Sequence, residues 1–240
     1  YDRLKKQINQ LKELEKEIFK EDTTVFKRWE ELILMREKIC RNFPDSIYLS
    51  FLTLVPLRVW GEVKRHRTLS QEVESVYIAA QRAIEIIKNK KEKELAYSIP
   101  PTIKKNYKKE WEEMMEKMIM TYEKMINNNV DPRDAIMILP RGLKIKVKKT
   151  YDLFQLLLGY IPLRLCSTAE EEMRRITEIE TKIIKKNVAN YIAEKITPKC
   201  YHCGFCLEKK CCGRIKEIRQ NYNHEKFEEI RKRFFEEVIL

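Results

Sequence analysis

Residues 47–55, IYLSFLTLV, form a nearly continuous β-prone run bounded by Pro44 and Pro56. The run is too short for a typical core helix, so it predicts a buried strand. A second strand is predicted by LKIKVKK, residues 143–149, which alternates strictly. Leu143, Ile145 and Val147 would face a core, with Lys144, Lys146 and Lys148 on the opposite face. Outside these two runs the period is helical. Leu4, Ile8, Leu11 and Ile18 form the apolar stripe of an N-terminal helix, which serves either to oligomerise or to pack on its own domain. A second helix runs from about Thr24, its N-cap, until Asn42 to Asp45 break it. Ser70 reads as the N-cap of a helix reaching about Asn89. Lys104 to Asn127 carries Trp111, Met114, Met115, Met118 and Tyr122 at mostly helical spacing, a core stripe. Asp131-Pro132 starts a short helix that Pro140 ends. Helices follow over Tyr151 to Tyr160 and Ser167 to Ile196, and Arg214 to Leu240 reads as a basic amphipathic helix. Few strands among many helices predict an α+β fold.

The composition agrees with this reading. Charged residues make up 36% and hydrophobic residues 43% of 240, with 5 Gly and 8 Pro, which excludes disorder and collagen-like structure. No stretch approaches the roughly 20 apolar residues of a membrane span. Tyr1 to Lys20 lacks the apolar core of a secretory signal, so a cytoplasmic location is expected. The net charge of +12 fits polyanionic or phosphorylated ligands, and also a lysine-rich composition with no such role.

Arg65-His66-Arg67, followed by Ser70 and Ser75, gives RHRTLSQEVES. Arg forks match phosphate oxygens, and hydroxyls at a helix start add donors, so the group suits phosphate binding. The spacing resembles the RHRxxSxNxxSxRY signature of the flavin-dependent thymidylate synthases. Further along, Tyr97 to Pro100 (YSIP) resembles the loop after that family's signature helix. DPRDAIMILP (131–140) resembles its PxxxARxxLP segment, and LRLCSTAEEEMR (163–174) its LRxxxxAQxEIR segment. The ordered matches run from about Asn42 to Glu180.

The resemblance implies an α+β fold, a homotetramer with FAD at subunit junctions, and methylation of deoxyuridylate at C5. Methylenetetrahydrofolate or a related pterin would supply the carbon and a reduced nicotinamide cofactor the reducing equivalents, carried by the flavin. It implies that Arg65, His66 and Arg67 contact FAD or the nucleotide, that Ser75 contacts the nucleotide phosphate, and that Arg164 meets the pyrimidine and the flavin edge. Arg164 would act in catalysis by stabilising charge on the activated ring. Several positions depart from the pattern. Glu72 stands in place of Asn, Tyr77-Ile78 in place of Arg-Tyr, and Ile136 in place of the Arg of the third segment. Leu153, Gln155 and Gly159 occupy a helix where the family places Asn and Arg near the flavin. Two phosphate-clamping cations are thereby lost, so the acceptor is either free nucleotide or a uridine within nucleic acid. A non-catalytic nucleic-acid-binding protein on the same fold is the alternative.

Five of seven cysteines, Cys200, Cys203, Cys206, Cys211 and Cys212, fall within thirteen positions. Such clustering means metal or redox chemistry. Four thiolates can hold zinc, and the triple C-x2-C-x2-C step also suits an iron–sulfur cluster. The expected organisation is a helical segment over 1–41, a thymidylate synthase-like core over 42–196, and a metal knuckle with basic helix over 197–240. Arg214, Lys216 and Arg219 are the knuckle's candidate nucleic-acid contacts.

Overall fold

The computed structural model of the protein describes residues 1–20, 22–219, 225, 228, 229, 231, 232 and 236, with only the backbone of 22–27. The chain forms two compact units, Ser50–Thr150, and Tyr1–Leu49 together with Tyr151–Leu240.

The first of these units holds a sheet of order β1-β3-β2, with β1 at Leu49–Pro56, β2 at Ser70–Val73 and β3 at Lys144–Tyr151. In β3, Ile145 and Val147 are buried as the alternation predicts, and Leu143 just before it is buried too. The strand predicted over 47–55 exists, but it lies at the sheet edge and Leu52 is 69% exposed. Ser70 does not cap a helix. Residues Ser70 to Val73 instead pair antiparallel with Thr150 to Val147, where Glu72 meets the Lys148 ammonium at 2.8 Å. Strand pairing outweighs the local capping signal, and the helix begins only at Val76.

Around this sheet stand α3 (Leu57–Val63), α4 (Val76–Lys88), α5 (Pro101–Asn106), α6 (Lys108–Asn127) and α7 (Pro132–Ala135). Non-helical backbone at Tyr107 separates α5 from α6. Met115, Ile119 and Tyr122 supply the buried face of α6, whereas Met114 is exposed, so the core stripe is narrower than the sequence suggests. Asp131 caps α7 by accepting from the Arg133 N–H at 2.8 Å, as its sequence predicts.

The other unit is helical: α1 (Asp2–Phe19), α2 (Asp22–Asn42), α8 (Leu153–Leu157), α9 (Tyr160–Arg164), α10 (Glu171–Asn187), α11 (Asn190–Ala193) and α12 (Lys199–Cys203). The α1 stripe packs on α2, with Leu4, Ile8, Leu11 and Ile18 buried. At roughly 1.5–3 kcal/mol for each fully buried aliphatic side chain, this packing accounts for the stripe within one chain. Gly204 ends α12 at φ +65°, where a Cβ would collide with the Phe19 ring. The glycine thus meets a left-handed turn and a close helix approach together. The helix expected from Arg214 begins instead as a 3-10 turn, Arg214–Glu217, and most of the rest lies outside the described residues. Among the described residues no helix is long and apolar enough to cross a membrane.

Candidate functional site

In the sheet-bearing unit, Arg65, His66 and Arg67 occupy a tight turn between α3 and β2. Backbone bonds from His66 N to Val63 O (3.0 Å), Arg67 N to Arg65 O (3.1 Å) and Leu69 N to His66 O (3.1 Å) fold the turn back on itself. Leu69 is buried and anchors it, leaving Arg65 and Arg67 exposed. Arg65 lies 3.3 Å from Glu62, an exposed pair that a phosphate can displace at little cost.

Ser75 stands at the N-cap of α4, exposed, and its hydroxyl caps no helix N–H. The thirteen-residue α4 presents its positive end there. Just before it, Glu74 is clamped by Arg82, with Nη2 donating at 2.8 Å and Nε at 3.2 Å. Arg82 also donates to Lys144 O at 2.7 Å and Leu95 O at 3.0 Å, while Glu74 accepts from Lys146 N at 2.8 Å. Burial alone would raise the Glu74 carboxyl, but these donors hold it below the usual range. This network ties the start of α4 to β3. No sequence motif signalled Arg82.

The positions that depart from the resembled pattern have other surroundings. Glu72 pairs with Lys148, and Ile136 is half-buried in the 3-10 turn Ile136–Ile138. Tyr77 is 40% exposed on the first turn of α4.

In the helical unit, Arg164 closes α9, its guanidinium 5.9 Å from the Tyr160 ring centroid. That ring is itself fixed. Tyr160 donates to Met173 Sδ at 3.1 Å and stacks tilted at 5.7 Å on Tyr151, which donates to Glu180 at 2.6 Å. The buried Gln155 accepts from Tyr160 N at 3.0 Å, so it serves the start of α9. A cation over a rigid aromatic face keeps its direction.

The cysteines reach this same corner. Arg214 donates to Leu165 O at 3.1 Å, Cys212 bonds to the Ser167 hydroxyl, and Cys200 and Cys206 feel the Cys166 thiol. Cys166 carried no signal in the sequence. Burial pushes the Cys203 thiol up to about 11 and the Cys206 thiol up to about 12. Among the described residues, however, no three Cys, His, Asp or Glu side chains converge as a metal site. Cys203 Sγ is turned to Phe205 O at 3.1 Å and Cys211 Sγ accepts from Gly213 N at 3.4 Å, while Cys206 and Cys211 share a side-chain hydrogen bond. Of the candidate nucleic-acid contacts, Lys216 is exposed, Arg214 is half-buried and donates to Leu165 O, and Arg219 is 4% exposed.

Comparison with known proteins adds four findings. Residues 32–188 match the family model described as thymidylate synthase complementing protein. The flavin-dependent thymidylate synthase of Pyrococcus furiosus is 29% identical over 170 residues, covering 68% of each chain. That of Pyrococcus horikoshii is 31% identical over 171 residues, 68% of this chain and 69% of the relative. A solved flavin-dependent thymidylate synthase from Helicobacter pylori, complexed with FAD and dUMP, is 15% identical with a TM-score of 0.48. The likeness covers 68% of this chain and 81% of that one.

Proposed function

The chain belongs to the thymidylate synthase complementing protein family, and from that premise we propose that it is a flavin-dependent transferase that methylates C5 of a uracil-type base. The observation that carries the reading is the Arg65-His66-Arg67 turn, kept within the matched span with both guanidinium groups exposed.

The donor set fits FAD. Two arginine forks, a half-buried imidazole and the uncommitted Ser75 hydroxyl at the positive end of α4 are the groups that bind phosphate esters. When bound, FAD supplies hydride from a reduced nicotinamide cofactor and takes part in moving a methylene carbon from tetrahydrofolate or a related pterin. This chain's residues do the rest. Arg65, His66 and Arg67 bind and orient the phosphates, and Ser75 holds the nucleotide's phosphate. Arg164, steadied by Tyr160, sets a fixed positive charge against a uracil carbonyl as negative charge develops on the ring.

The acceptor is the finer question. Tyr77 and Ile136 stand where the family pattern has arginine, so the clamp for a free nucleotide's phosphate is reduced. This favours a uridine within a polynucleotide over free deoxyuridylate. Homotetramer assembly follows from the family reading. A zinc or iron–sulfur centre at Cys200 to Cys212 rests on the spacing of the thiols and on their shared corner with Cys166.

Titrating the full chain with FAD tests the reading. Saturable binding with a flavin absorbance band, weakened in Arg67→Ala and in Arg164→Ala, is expected. A chain that cannot be loaded with FAD would instead be a non-catalytic nucleic-acid binder.

A further inference from the structure

Within the helical unit a pocket of about 440 Å³ opens between α1, α2 and the segment after α11. Its floor holds Arg36, 1% exposed, which donates to Glu15 at 2.6 Å through Nη2. Arg36 Nε and Nη1 are buried with no hydrogen-bond partner among the described residues. Lys195, 8% exposed, meets the other oxygen of Glu15. Two buried cations thus share one carboxylate. Such an imbalance costs free energy unless a further anion arrives, and burial drives both Arg36 and Lys195 toward losing their protons.

The walls have the same sign. Lys12, Lys16 and Lys20, spaced four residues apart on one face of α1 and its C-terminal end, line the pocket, while Glu194 is matched by Lys12 at 3.0 Å. Lys16 is paired with Glu13 at 2.7 Å, so five cations against Glu13, Glu15 and Glu194 leave two positive charges in excess. Every residue named here except Arg36 lies outside the matched span 32–188, so segments flanking that span build most of the pocket.

We infer that this pocket binds a small ligand through a terminal phosphate, with Arg36 and Lys195 as its buried anchors and the α1 lysines at its mouth. A phosphate monoester carries close to two negative charges and three acceptor oxygens, which matches two orphaned guanidinium N–H groups beside an ammonium better than a single carboxylate does. The volume exceeds that of the ion and leaves room for the rest of a small molecule. A terminal phosphate reaches a buried floor that the phosphodiester of a polynucleotide, tethered on both sides, does not.

The test is calorimetric titration of the full chain with inorganic phosphate in chloride buffer. One saturable site per chain is expected. Lys195→Gln, which leaves the Arg36–Glu15 pair intact, should weaken it by about tenfold or more, the loss of one charge-assisted hydrogen bond. Exposed Lys20→Ala should weaken it by about threefold without altering the fold, and FAD content should be unchanged in both. No saturable phosphate binding by the folded wild type overturns the inference, as does equal affinity in both variants. Displacement of phosphate by FAD would assign the ion to the flavin site and equally overturn it. So would binding of a uridine oligonucleotide that both variants weaken while phosphate does not bind.

Discussion

Replacing Arg82 by methionine removes the guanidinium that braces the start of α4 while keeping an apolar stem. Its four hydrogen bonds, to both oxygens of Glu74 and to the carbonyls of Leu95 and Lys144, all disappear. The Arg82 and Glu74 side chains are 18% and 9% exposed, so Glu74 is left nearly buried with the Lys146 N–H still bound to it. Breaking a buried pair costs about 3–5 kcal/mol, and water access to Arg82 sets the expectation near 3. Urea unfolding should show this as a lower midpoint with an unchanged slope. The pH dependence carries a sign. A carboxylate held below its ordinary value stabilises fully above its unfolded pKa of about 4.3, and that stability is lost as pH falls through the folded value. The gap between wild type and Arg82→Met should therefore narrow below about pH 4. A loss under about 1 kcal/mol, or a gap constant with pH, would refute the account of the brace.

Arg67→Ala and Arg164→Ala should each weaken FAD by about tenfold or more, the worth of a charged hydrogen bond, and unchanged affinity in both would remove their assignment. Gly204→Ala should lower stability by more than about 1 kcal/mol in thermal unfolding, since it meets both a left-handed φ and the Phe19 ring; a neutral effect would contradict that packing. Free deoxyuridylate should saturate poorly compared with a uridine-containing polynucleotide in steady-state kinetics, whereas micromolar KM for the free nucleotide would show the clamp intact. Elemental analysis of chain purified without oxygen should find a metal centre that Cys203→Ser with Cys206→Ser abolishes, and a metal-free wild type would end the zinc or iron–sulfur reading.

What was legible in the sequence is what is local. The lysine alternation of β3 and the Asp131 cap depend on neighbours a few residues away, and both read correctly. The Arg65-His66-Arg67 cluster stands out in sequence because its three cations are contiguous. Ser70 misled because its local signal is a helix cap, while its partner in β3, Thr150, is supplied by a strand distant in sequence. The brace of Arg82 to Lys144 O spans 62 residues, and Lys195 meets Glu15 across 180, so no window of sequence carries either. The cysteine spacing shows thiols close in sequence, not where each sulfur turns. Cys203 faces a backbone carbonyl, and Cys166 joins the corner only through the turn after α9.

The most direct measurement is tritium release from C5-labelled uracil acceptors, free deoxyuridylate and a uridine polynucleotide, with a reduced nicotinamide cofactor and methylenetetrahydrofolate, with and without FAD. The account predicts FAD-dependent release that Arg164→Ala abolishes. No release from either acceptor by a chain loaded with FAD, or release independent of FAD, would contradict it.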